Sequence, residues 1–124
     1  FAIAKWLQKQ LRVQYVLYTG LENHPGYVIN KAQTTGFGGM ISFAVDNAET
    51  ARQILEGVKL IKFAESLGGT ESLITYPIRQ THTDLTAEEC AEKGITDCLL
   101  RFSTGIEATQ DLIDDLAQAF AAIE

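Results

Sequence analysis

The stretch Glu65-Ser66-Leu67-Gly68-Gly69-Thr70-Glu71-Ser72-Leu73-Ile74 decides how this chain is organised, because an adjacent glycine pair separates a serine from a run that reads as a strand. Two glycines let the backbone take positive φ or approach a ligand with no Cβ in the way. Ser66 can then present its hydroxyl, with nearby amides, to a small anion. The plain alternative is an ordinary turn ahead of a strand. Upstream, residues 59–64 alternate loosely and predict the strand that delivers Glu65 and Ser66; downstream, residues 72–76 predict the next strand.

Toward the N-terminus, residues 13–18 are rich in β-branched and aromatic types and predict a strand that ends at Thr19-Gly20. His24-Pro25-Gly26 is a turn signal, and residues 27–33 read as a short helix. Gly36-Phe37-Gly38-Gly39 leads into a further strand over 40–45. A phosphate-cradling glycine loop feeds a helix N-terminus, whose free amides hold the anion; this one feeds a strand and is read as structural. The chain opens on an amphipathic pattern with Ile3, Leu7 and Leu11 at fourfold spacing. Asp46 and Glu49 predict a capping box for a helix that runs to about Gly57, with Ala51, Ile54, Leu55 and Val58 on one face.

Toward the C-terminus, Thr86 can cap a short helix through Ala91, closed by Gly94. Residues 98–104 predict a strand. A terminal helix begins near Thr109, with Leu112, Leu116, Phe120 and Ile123 as its apolar stripe. Strands and helices are both present, but their connections are too irregular for a uniform βαβ repeat. The expected fold is α+β: a mostly antiparallel open sheet with helices on one face.

Composition narrows the function classes. At 124 residues with a net charge of −6, the chain reads as one domain with enough apolar residues for a core. The acidic balance and scattered basic residues argue against a nucleic-acid partner, which needs a basic patch. No apolar run is long enough to span a bilayer, so no membrane partner is expected. Cys90 and Cys98 make no disulfide framework, and two histidines give no zinc spacing. Free thiols in a reducing cytoplasm are the simplest reading.

Arg101 stands out within its strand. Period two puts Cys98, Leu100 and Phe102 on one face and Leu99, Arg101 and Ser103 on the other. An arginine in an apolar strand needs a partner, and its planar fork matches a carboxylate bidentately; a solvent-facing or ion-paired arginine is the alternative.

The run from Ser66 to Ile74, with Tyr76-Pro77, Thr81-His82, Gly94-Ile95-Thr96-Asp97, Leu100 to Glu107 and Asp111 to Leu116, resembles the C-terminal domain of the pyridoxal-phosphate (PLP) enzymes of Cys/Met metabolism. His24-Pro25-Gly26 and Gly36 to Phe43 extend the resemblance over nearly the whole chain. The family includes cystathionine γ-synthases, cystathionine β- and γ-lyases and methionine γ-lyases. One departure is Tyr18-Thr19-Gly20-Leu21, where the family usually has Tyr-Pro-Gly-Leu; it touches a turn.

The resemblance implies the small C-terminal domain of a fold-type I enzyme, preceded by a cofactor-binding domain in a homotetrameric, cytoplasmic parent. Phe1 begins without an initiator Met, which fits that expectation. Arg101 matches the arginine of the family's Arg-x-Ser-x-Gly-x-Glu segment, which binds the substrate α-carboxylate. Ser66 matches a serine near the cofactor and its lysine, and Thr81 a threonine bordering the same site, while His82 is read as structural. Glu65 resembles the acidic residue of family members that handle cystathionine, where it can pair with the distal ammonium. It tilts the substrate toward cystathionine or an activated homoserine without separating synthesis from cleavage.

PLP needs a lysine, a phosphate pocket and an acidic partner. None of Lys5, Lys9, Lys31, Lys59, Lys62 or Lys93 lies in a matching motif, so the chain by itself is expected to be catalytically silent. The expected partners are the amino-acid substrate, the cofactor domain and sister subunits. The competing reading is a free-standing α+β domain that binds a small ligand or another protein without catalysis.

Overall fold

Apolar side chains two apart in the strands and three or four apart in the helices have one economical arrangement, a sheet with one face buried under helices. The computed structural model describes residues 1–82 and 84–123 and has this form. Its elements run α1 (Ala2–Leu7), β1 (Val13–Leu17), α2 (Tyr27–Gln33), β2 (Met40–Val45), α3 (Ala48–Gly57), β3 (Lys62–Phe63), β4 (Leu73–Thr75), α4 (Ala87–Glu92), β5 (Leu99–Ser103) and α5 (Thr109–Ala121). The sheet has the order β1-β2-β5-β4-β3. All pairs are antiparallel except β3 with β4. The α+β fold and mostly antiparallel sheet follow the sequence expectation.

The core lies on one face. Val16, Ile41, Phe43, Leu100, Phe102 and Ile74 point into it, and α1, α3 and α5 answer with Ile3, Leu7, Ala51, Ile54, Leu112 and Leu116. Phe43 and Phe102 are fully buried. Phe120 and Ile123, the lower half of the predicted stripe, pack at its margin, where Trp6 meets Phe120 edge-on at 5.8 Å.

Two local expectations change. The strand expected over 59–64 contracts to Lys62–Phe63 because its first three amides are taken. Those of Lys59, Leu60 and Ile61 donate to the carboxylate of Asp115 on α5 at 2.8, 2.9 and 2.8 Å. A buried carboxylate needs donors and extended backbone offers them, so helix and segment are pinned together. The cap of α3 is Asn47, whose side chain accepts from the Thr50 amide at 2.8 Å. Asp46, one residue earlier, pairs with Arg12 at 3.0 Å. Thr86 caps α4 as expected and forms a full capping box with Glu89.

Candidate substrate-carboxylate site

The strand alternation that buries Phe102 turns Arg101 to the other face. There, antiparallel register aligns Leu17, Ser42, Arg101 and Thr75 in one row across β1, β2, β5 and β4. Arg101 is half-buried in that row. Its Nη2 donates to the Glu65 carbonyl at 2.7 Å and to Thr75 Oγ1 at 3.2 Å. Thr75, itself buried, donates to the carbonyl of Ala64 at 2.7 Å. The backbone just before the Ser-Leu-Gly-Gly turn is thus held at two successive carbonyls.

The remaining donors of Arg101 are unspent. Among the described residues its Nε is buried with no acceptor, and no acceptor meets Nη1. Among the described residues Arg101 forms no ion pair. A guanidinium always carries its charge, and an unmet buried N–H costs about 1–3 kcal/mol, so the group is poised to gain from an anion. Either bidentate face of a guanidinium includes Nη2. A carboxylate seated on the fork therefore displaces one Nη2 acceptor, and the 3.2 Å contact to Thr75 is the longer and more yielding.

The glycine pair behaves only partly as expected. Gly68 takes positive φ, +70°, but its amide donates to Ser103 Oγ at 2.9 Å and is not free for an anion. Ser66 is exposed beside it. The exposed Glu65 side chain forms no ion pair among the described residues, so its carboxylate is open to an incoming cation. Thr81 stands apart, in the turn after β4. Its hydroxyl is 2.7 Å from His82 Nδ1 and its amide donates to the Pro77 carbonyl. The structure thus joins Arg101 to the Glu65 backbone directly and leaves Ser66 and Thr81 outside that hydrogen-bond network.

Residues not singled out from the sequence hold this arrangement. The Ser72 amide and hydroxyl donate to the Glu107 carboxylate at 2.7 and 2.8 Å, and the Gly105 amide donates to Ser72 Oγ at 2.8 Å. A Cβ on Gly105 would lie 2.2 Å from the Thr70 carbonyl oxygen, which admits no other residue without movement. Burial pushes the Glu107 carboxyl upward, but the donors from Ser72 and from its own backbone amide together outweigh it, and the group sits below the usual carboxylate range. The one advance signal was the Arg-x-Ser-x-Gly-x-Glu spacing itself, which ends at Glu107.

Residues 1–121 match the family model for Cys/Met metabolism PLP-dependent enzymes, and the chain belongs to that family. It is 46% identical to cystathionine gamma-lyase of Bacillus subtilis over 98% of this chain and 32% of that protein. It is 45% identical to L-methionine gamma-lyase of Fusobacterium nucleatum subsp. nucleatum over 98% of this chain and 31% of that one. Among solved structures, cystathionine gamma synthase of Xanthomonas oryzae pv. oryzae in complex with cystathionine superposes with a TM-score of 0.91 at 43% identity, covering 97% of this chain and 31% of that one. The chain therefore spans about a third of the length of the relatives it matches.

The family's cofactor is pyridoxal phosphate, whose electron-sink chemistry requires a lysine at its aldehyde. The lysines of this chain do not fit that role. All are exposed; Lys5 and Lys31 lie over the rings of Phe1 and Tyr27, and Lys62 Nζ donates to the Lys59 carbonyl. What the residues around Arg101 fit is a carboxylate. No described helix is long and apolar enough to cross a membrane, and the described residues hold no His, Cys, Asp and Glu cluster suited to a metal ion.

Proposed function

We propose that this chain is the C-terminal, substrate-binding domain of a longer PLP-dependent trans-sulfuration enzyme, and that Arg101 holds the α-carboxylate of its amino-acid substrate. The observation that carries the reading is the guanidinium of Arg101, which among the described residues is anchored through Nη2 alone while Nε is buried without an acceptor. Family membership over residues 1–121 supports the enzyme class.

In this reading Arg101 fixes one end of the substrate and Glu65 meets a positive charge at the other. Residue 65 offers its carbonyl to Arg101 and leaves its carboxylate exposed, so one residue touches both ends of the recognition. A distal ammonium is present in cystathionine and absent from methionine, and Glu65 favours cystathionine, or an activated homoserine in the synthetic direction. The near-equal identity to a cystathionine lyase and a methionine lyase, 46% and 45%, makes this side chain a sharper guide than overall likeness. The lysine, phosphate pocket and acidic partner of the cofactor belong, on this proposal, to residues outside this chain, with Ser66 and Thr81 bordering the completed site. The chain alone is then inactive, and the complete enzyme is a cytoplasmic homotetramer.

The test compares cystathionine with its analogue lacking the α-carboxylate beside the amine, using the complete enzyme. Wild type should prefer cystathionine by a factor on the order of a hundred or more, since each hydrogen bond to a charged group contributes roughly 1.5–3 kcal/mol. Arg101→Ala should lose most of that preference while keeping the cofactor's absorbance. A variant that retains the preference in full would refute the role.

A further inference from the structure

The loop that carries Glu65 and Ser66 has no apolar anchor. Residues 65–71 are all exposed, and Leu67, its one large apolar side chain, is 53% exposed. Such a loop would ordinarily sample many conformations, because nothing opposes its backbone entropy. Here it is tied entirely by polar bonds, and nearly all of them lead to the end of β5 and the turn beyond it. Gly68 donates to Ser103 Oγ at 2.9 Å, and Ile106 donates to the Thr70 carbonyl at 2.9 Å. Ser72, with no exposed surface, reaches Glu107 through both its amide and its hydroxyl.

We propose that Glu107 is a positioning residue for substrate recognition: through Ser72 it clamps the 65–72 loop to the strand that carries Arg101, and so sets the distance between the two charges that grip the substrate. This rests on the reading of Arg101 and Glu65 given above. The chemistry of the clamp is specific. Glu107 uses one oxygen for the Ser72 amide and the other for its hydroxyl, and that hydroxyl oxygen also accepts from Gly105. Ser72 Oγ thus donates its one proton and accepts another. An amide at position 107 keeps the shape but can accept at only one atom, and its NH2 faces a hydroxyl whose proton then has no acceptor.

Two measurements on Glu107→Gln decide the proposal. In the complete enzyme, amide hydrogen exchange at Gly68 and Ser72 should quicken by about tenfold or more, while Leu100 and Phe102 keep their protection. In the same protein, KM for cystathionine should rise about tenfold with kcat changed less than about threefold, the pattern of lost substrate positioning. On an Arg101→Ala background the same change should add little, because the two act on one contact set. Ser103→Ala, which removes only the Gly68 tie, should repeat the effect at smaller size.

Unchanged loop exchange, or a lowered melting temperature with normal KM per folded molecule, would overturn the clamp. So would an equal rise in KM with and without Arg101. If Arg101→Ala itself leaves KM unaltered, it is the carboxylate reading that fails, and loop exchange alone then decides whether Glu107 holds the loop.

Discussion

Phe102 and Arg101 are neighbours in the chain and belong to different worlds. Phe102 points to the helix-covered face, where it is fully buried among Phe43, Ile74 and Leu116, and Arg101 points to the opposite face, where Ser42 and Thr75 flank it across the sheet. On the first face the contacts are apolar and exchangeable with other apolar contacts of equal volume. On the second they are polar, directional and incompletely satisfied. A strand with period two can therefore serve folding and recognition at once, one residue apart. On the proposed function, the close-packed face holds the polar face in place for its substrate.

The two faces should differ most at Phe102. Phe102→Ala should cost about 3–5 kcal/mol of stability, from lost burial and the cavity left behind, with the denaturation midpoint falling at unchanged slope. Activity per folded molecule should change far less than stability. An Ala variant that melts normally but loses substrate affinity would show that the two faces are not separable.

A smaller effect sharpens the polar side. Glu65→Val removes an exposed carboxylate, so the melting temperature should hold while kcat/KM for cystathionine relative to methionine falls by about two- to fivefold, the scale of one exposed charge pair. An unchanged ratio would remove Glu65 from specificity and leave only its carbonyl in the account.

How much of this was legible in the sequence follows from the range of the interactions. Period two assigned Arg101 and Phe102 to opposite faces, and the apolar stripes located α3 and α5, because such patterns are local. The glycine pair announced a backbone of positive φ, found at Gly68. The missed features all depend on partners far away along the chain. Asp115 reaches amides 54 to 56 residues off and so shortens β3, which no local window shows. Thr75 meets Arg101 only because of the register of β4 on β5. Asn47, one residue beyond Asp46, caps α3, while Asp46 pairs with Arg12 from the segment before β1, 34 residues away. Glu107 stood in a quoted motif, but its task became readable only once Ser72 was placed beside it.

On the proposed function, Arg101 is held by the fold but kept for a substrate. The most direct test is Arg101→Ala in the complete enzyme, with melting temperature and kcat/KM for cystathionine measured on the same preparation. The expected result is a melting temperature close to wild type, retained cofactor absorbance and a fall in kcat/KM by a factor on the order of a hundred or more. A variant that unfolds readily, yet shows normal activity per folded molecule, would contradict it and make Arg101 a structural residue.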